Sequence, residues 1–253
     1  MNPEYFVDKN SIVRQIWGKG DTILFIFAGG AAEFALNKAV DWLYFTGRLP
    51  ADPLGRLFST VSYARTIVFS KTETAHRAID AMTAIHSSVE HSRGVSIPDW
   101  AYRDVLFMLI DYSIRAYEVL ERTLTLAEKQ EVFDVFTRMG TRMGITGLPE
   151  TFASYMIMRQ MHLHQNLLRT AFTDDLYHQY KKHLGVIRYR ILLEVQHLVA
   201  PEKVREWLGF NRKSFLSPIL TLYNMSKFLR MDSLIRNLIL PARYRAQIKA
   251  LDQ

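Results

Sequence analysis

The stretch 52-DPLGRLFSTVSYARTIVFS-70 shows the pattern that decides the fold. Its apolar residues recur every three or four positions, which is the spacing of one face of an α-helix. The same spacing continues along nearly the whole chain, and the β-branched alternation that indicates strands is almost absent. The sequence therefore predicts an all-α fold.

We expect about ten helices in a single globular domain over residues 1–253, since the chain has no repeat and no low-complexity linker. Two pairs, Ser70 with Glu73 and Thr125 with Glu128, have the spacing of capping boxes at helix starts. The predicted helices cover residues 10–18, 20–47, 53–69, 71–92, 98–122, 126–142, 149–170, 173–198, 201–209 and 215–240.

Composition excludes several classes of site. The chain of 253 residues is 49% apolar and has no cysteine, so disulfides, thiolate metal sites and cysteine nucleophiles are excluded. The N-terminus shows no secretory signal, and the apolar run at 23–32 is too short to span a bilayer. These features favour a cytoplasmic protein.

Residues 211–253 stand apart as a basic amphipathic C-terminal extension. They hold much of the net charge of +7, and the basic residues alternate with large apolar ones. That pattern is typical of an amphipathic helix rather than of a groove that follows nucleic-acid phosphates, so no nucleic-acid partner is expected. The extension predicts a homodimer contact, docking on the core, or peripheral contact with an anionic membrane.

Arg56 and Thr60 lie one turn apart among apolar residues. A buried guanidinium is costly unless an anion meets it. The anion is either a protein carboxylate, such as that of Asp52, or an acidic group on a ligand.

The pair Gly29-Gly30 falls within an apolar helical stretch. Two glycines there allow close helix packing or a kink. They would equally provide a flat backbone surface for a planar ligand.

His86 shares a helix face with Met82 and Val89, at spacings of four and three. A histidine on such a face is either a buried residue bonded to a carbonyl or to Glu90, or an axial ligand of haem iron. The second role requires a neutral imidazole in a dry slot.

No nucleophile elbow, P-loop or dinucleotide-binding fingerprint is present. A non-haem di-iron site is an alternative, because two E-x-x-H tetrads and two further glutamates could supply its ligands. These residues are Glu73, His76, Glu194, His197, Glu33 and Glu118. His162 and His164 are two apart and would point away from each other on a helix.

Several stretches, taken in order, resemble the MpaB-type oxygenase family, which includes the rubber oxygenase called latex-clearing protein. The resemblance runs from about Trp17 to Phe210. It rests on IWGKGDTILFIFAGGAAEFAL (16–36), DPLGRLFSTVSYARTIVFS (52–70), TAIHSSVEHSRG (83–94), IPDWAYRDVLFMLIDYSIRAYEVL (97–120), GITGLPETF (144–152) and HLVAPEKVREWLGF (197–210).

The resemblance implies a haem b pocket among the helices. His86 matches the family's iron ligand, and Arg56 and Thr60 match its haem-contacting R-L-x-x-T pair. Ser59 stands where rubber-cleaving relatives have a lysine, which predicts that His86 is the only protein ligand of the iron. Candidate cofactor-binding residues are therefore His86, Arg56, Thr60, Ser59, Gly29 and Gly30.

We thus expect a haem b-dependent oxidoreductase that uses dioxygen or peroxide on an apolar small-molecule substrate. Glu33 and Asp41 are candidate catalytic acids or bases. The alternatives are a non-haem di-iron oxidase and a non-catalytic helical binding protein of the same fold. We expect the substrate cavity to be lined by Phe25, Trp42, Tyr63, Phe107, Met108 and Tyr112.

Overall fold

The computed structural model describes residues 4–47 and 51–210, apart from the side chains of Leu54, Leu57 and Phe58. The described part is built of α-helices joined by short connections, which confirms the predicted all-α fold. Its helices are α1 (Ile12–Trp17), α2 (Gly20–Leu36), α3 (Val40–Phe45), α4 (Pro53–Phe69), α5 (Thr72–Arg93), α6 (Asp99–Leu120), α7 (Leu126–Arg142), α8 (Phe152–Gln165), α9 (Ala171–Val199) and α10 (Glu202–Leu208).

None of these helices is both long enough and apolar enough to span a bilayer. The predicted helix at 215–240 and the basic extension lie outside the described residues. The predicted capping box at Thr125 is confirmed, because the Thr125 amide donates to Glu128 Oε2 over 2.8 Å and Thr125 Oγ1 accepts from the Glu128 amide.

The predicted capping box at Ser70 is wrong. Ser70 ends α4, its amide donating to the carbonyl of Thr66. The chain is extended at Lys71 because the N-terminal segment binds it there, and the Thr72 amide donates to the carbonyl of Glu4 over 3.0 Å. A contact with a segment this distant in sequence leaves no local signal.

Helix α2 crosses α6 and α9 at the centre of the fold, and Gly29 makes the crossing possible. A Cβ at Gly29 would lie 2.3 Å from the Tyr112 ring on α6 and 2.8 Å from Val199 Cγ2 on α9. Both distances are well below van der Waals contact. The space that a side chain at Gly29 would need is therefore occupied by Tyr112 and Val199. Tyr112 is fully buried there.

The predicted helix over 20–47 is broken at Asn37. Asn37 Oδ1 accepts from the amide of Ala39 over 2.8 Å, and Asn37 Nδ2 donates to Asp104 Oδ2 over 2.7 Å. Its backbone also forms a short antiparallel bridge with Leu167, which lies just after the C-terminal end of α8. These bonds satisfy the polar groups at the end of α2 and turn the chain into α3.

The predicted helices at 149–170 and 173–198 differ from the observed helices at their ends, and the second one also contains a kink. Thr151 and Ser154 form the cap that starts α8, so Pro149 lies before the helix. Gly185, with φ of 74° and ψ of 171°, interrupts α9 with a kink. Only glycine adopts this backbone conformation without strain.

The two adjacent glycines of α2 give a paired test. Gly29→Ala should lower the free energy of unfolding by about 1–3 kcal/mol, because the new methyl group overlaps Tyr112 and Val199. Gly30→Ala should raise it by about 0.5–1 kcal/mol, because alanine favours a helix and an added Cβ meets no atom within 4 Å. Urea denaturation of both variants measures the difference. Equal stability of the two variants would contradict this packing.

Candidate functional site

A cavity of about 1040 Å³ is enclosed by residues of α2, α3, α4, α5, α6, α7 and α9. Its volume is at the upper limit of small-molecule pockets, which is about 1,000 Å³. The wall is mainly aliphatic, aromatic and thioether, with few polar groups. Among the latter are Asp21, Arg56, His86 and Arg188.

The predicted residues of α4 line this cavity. Arg56, Ser59 and Thr60 all contribute to its wall. Thr60 Oγ1 donates to the carbonyl of Arg56 one turn earlier over 3.1 Å, so its hydrogen is used within the helix. The guanidinium of Arg56 is therefore the charged group that α4 presents here.

Gly30 lines the cavity and Gly29 does not. An added Cβ at Gly30 would meet open space, so the α2 backbone forms a flat part of the wall there. Of the predicted glycine pair, only Gly30 has the placement that a planar ligand would need.

His86 projects from α5 into the wall of the same cavity. Its Nδ1 atom is buried and has no hydrogen-bond partner among the described residues. The Tyr102 ring lies edge-on to the imidazole, with centroids 5.3 Å apart. Tyr102 Oη donates to Glu90 Oε1 over 3.2 Å, which fixes the ring that supports His86.

The surroundings of His86 favour the neutral imidazole. Burial lowers the pKa of His86, and the Arg56 guanidinium lowers it further, while Glu90 partly opposes the shift. A neutral ring with an unpartnered buried nitrogen is able to ligate a metal. The structure places such a ring on the wall of a largely apolar cavity.

Four of the six aromatic and methionine residues predicted to line the cavity do so, namely Phe25, Trp42, Tyr63 and Met108. The prediction is wrong for Phe107 and Tyr112, which are fully buried in the protein core. Helix α6 is buried on most of its circumference, so its apolar pattern did not reveal which side faces the cavity.

Several lining residues were not predicted from the sequence. Tyr102 supports His86, and Met82, Met139 and Met143 line the cavity. The place of Met82 in the cavity wall could have been predicted, because it shares the helix face of His86. Met139 lies on α7 and Met143 directly after it, and their place in the cavity wall depends on tertiary packing that the sequence does not show.

Glu33 does not line the cavity. It is buried on the other side of α2, where its carboxylate binds both terminal nitrogens of Arg159, with Nη2 and Oε2 2.6 Å apart. Tyr112 Oη also donates to Glu33 over 3.0 Å, and Arg159 Nη2 lies 3.0 Å from Asp111 Oδ2. Burial disfavours the charge of Arg159, yet the two carboxylates raise its pKa well above the ordinary value.

Asp41 likewise does not line the cavity. Its Oδ2 lies 2.7 Å from Arg93 Nη2, and the Arg93 guanidinium stacks 4.0 Å above the Trp42 ring. Asp41 therefore holds Arg93 against Trp42, which is itself part of the cavity wall. The structure gives both predicted acids an ion-pairing role.

The ligand set of the di-iron alternative does not assemble. Within the described residues, no three histidine or carboxylate side chains come together as a metal site. Glu33 binds Arg159, Glu73 pairs with Arg77, and Glu118 pairs with Lys129.

All eight histidines lie in the described part of the chain, and His86 is the one that lines the cavity. His162 is buried with its Nδ1 against Asp104, and its ring packs on Phe107. His164 is exposed on the surface of α8.

A family model described as ER-bound oxygenase mpaB/B'/Rubber oxygenase, catalytic domain, matches residues 15–230. The match covers most of the chain and extends past Phe210, where the sequence resemblance stopped. No curated protein and no solved structure matches the chain.

The lowered pKa of His86 predicts a pH dependence of stability in the ligand-free protein. The unfolded histidine takes up a proton near pH 6.5, whereas the folded one does so only at lower pH. The unfolded state then binds more protons, so the contribution of neutral His86 to stability is lost as pH falls below about 6.5.

Denaturation of wild type and His86→Gln between pH 8 and pH 5 should show a shallower decline for the variant. His164→Gln, at an exposed site, should follow the wild-type curve and serves as control. Parallel curves for wild type and His86→Gln would contradict the assignment of a buried neutral imidazole.

Proposed function

Since the chain belongs to the mpaB/rubber oxygenase family of oxygenase catalytic domains, we propose that it is a haem b-dependent oxygenase. Its substrate would be an apolar small molecule, and its oxidant dioxygen or peroxide. The observation that carries the proposal is the imidazole of His86, with a buried nitrogen that has no partner among the described residues, on the wall of a large, mainly apolar cavity.

The residues present fit a haem group. His86 offers a buried nitrogen without a protein partner, as an axial ligand requires. Gly30 leaves the α2 backbone open where a flat macrocycle would need space. The cavity is large enough to hold a ligand of this size together with a substrate.

Arg56 would bind a haem propionate. A guanidinium offers several donors to a carboxylate and keeps its charge when partly buried. Arg56 is close enough to His86 to lower the pKa of the imidazole. The same guanidinium would therefore bind the propionate and favour the neutral form of His86. Thr60 would contribute its methyl group and lone pairs, because its hydrogen is bonded to the helix.

Haem, when bound, would supply the activation of dioxygen or peroxide. The chain would hold the apolar substrate and exclude water. Met82, Met108, Met139 and Met143 suit this task, because thioether side chains adapt to ligands of irregular shape. Glu33 and Asp41 have no part in the proposed chemistry, since both are engaged in ion pairs away from the cavity lining.

A cytoplasmic location also belongs to this proposal. We also propose that residues 211–253, which lie outside the described residues, make peripheral membrane contact or form a homodimer. Neither is needed for haem binding as argued above.

Haem binding is tested by the absorption spectrum of protein produced with an ample haem supply. We expect a Soret band that His86→Ala abolishes. His162→Ala and His164→Ala should retain it, because neither histidine lines the cavity. A colourless wild-type protein that also fails to take up added hemin would refute the proposed function and favour a non-catalytic binding protein.

The absence of a lysine at Ser59 predicts an iron with one protein ligand. The ferric protein should be mainly high-spin and should bind imidazole readily. Ser59→Lys, which places an amine on the cavity wall, should shift the spectrum towards low spin. Ser62→Lys, at an exposed position of α4 away from the cavity, is the matched control. A low-spin resting spectrum that imidazole does not change would contradict this prediction.

A further inference from the structure

The kink of α9 at Gly185 presents an unusual surface. Gly185 has φ of 74° and ψ of 171° in the middle of the longest helix of the described part. A Cβ added there would meet no atom within 4 Å, so the kink faces open space. We call residues 181–190 the kink surface.

Large apolar side chains are exposed directly after Gly185, at Val186 and Ile187, which form the tip of the kink surface. Val186 is 56% exposed and Ile187 is 73% exposed. Ile187 is the most exposed large apolar side chain among the described residues. Two adjacent apolar side chains are thus held in water at a break in the helix.

Basic residues flank Val186 and Ile187 in the sequence. Lys181, Lys182, Arg188 and Arg190 fall within ten residues, and no acidic residue occurs between Asp175 and Glu194. Within the described part of the chain, Lys181, Lys182 and Arg190 are exposed and form no ion pair. The kink surface is therefore cationic as well as apolar.

The opposite side of the same turns forms the cavity wall. Leu184, Arg188, Ile191 and Leu192 all line the cavity. The helix turns that carry the exposed apolar tip therefore separate the cavity from the surroundings.

We propose that the kink surface docks on an anionic phospholipid bilayer. Val186 and Ile187 insert at the headgroup level, and Lys181, Lys182 and Arg190 bind the lipid phosphates and carboxylates. The docking stands apart from residues 211–253 and from haem binding. Its consequence, that an apolar substrate reaches the cavity from the bilayer, rests on the proposed function.

The test is co-sedimentation of the full chain with vesicles. We expect binding to phosphatidylcholine vesicles that contain phosphatidylserine, little binding to phosphatidylcholine alone, and weakening at high salt. Ile187→Asp and the double variant Lys181→Glu/Lys182→Glu should each reduce partitioning by about tenfold or more.

Matched controls exist for both changes. Leu126→Asp alters a side chain that is 72% exposed and, like Ile187, lies in the first turn of a helical segment. Lys71→Glu/Arg77→Glu reverses two exposed charges elsewhere. Both controls should pellet as wild type does.

Two results would overturn the docking: a wild-type chain that stays in the supernatant, or kink variants that bind as well as their controls. The second result would assign the binding to another segment. The Soret band of the same preparation separates this proposal from the proposed function, because haem-loaded protein that does not pellet refutes docking alone. Colourless protein that pellets through the kink surface refutes the proposed function alone.

Discussion

The buried ion cluster around Arg159 is the constraint on which the rest of the structure depends. Its guanidinium joins Glu33 of α2 to Asp111 of α6, and Asp111 also pairs with Arg115. The charges of two positive and two negative side chains cancel, which offsets much of the free-energy cost of removing them from water. The cluster ties three helices together and determines which side of α2 faces the core.

That orientation of α2 explains why two adjacent glycines have different surroundings. Gly29 lies one turn before Glu33 and so faces α6, where the Tyr112 ring fills its space. Gly30 and Phe34, also one turn apart, face the cavity instead. The same helix thus has one side used for close packing and another that lines the cavity.

Much of the fold was predictable because helix periodicity is a local property. The boundaries of α4 and α7 agree with the prediction, and Arg56 and His86 line one cavity as the family resemblance implied. The break at Asn37 and the extended backbone at Lys71, which replaces the predicted capping box of Ser70, were not predictable, since each depends on hydrogen bonds to a distant segment. The ion pairs of Glu33 and Asp41 were missed for the same reason: their arginine partners lie 126 and 52 residues away along the chain.

The unpartnered nitrogen of His86 has a consequence for the life of the protein in the cell. His86 Nδ1 finds no partner among the described residues, and the cavity beside it has a mainly apolar wall, so both lack the protein contacts that stabilise the rest of the core. A ligand that fills both adds its binding free energy to the stability of the folded state. Newly made chains that lack it are then the ones most exposed to proteases and chaperones, so ligand supply would set how much of the protein accumulates.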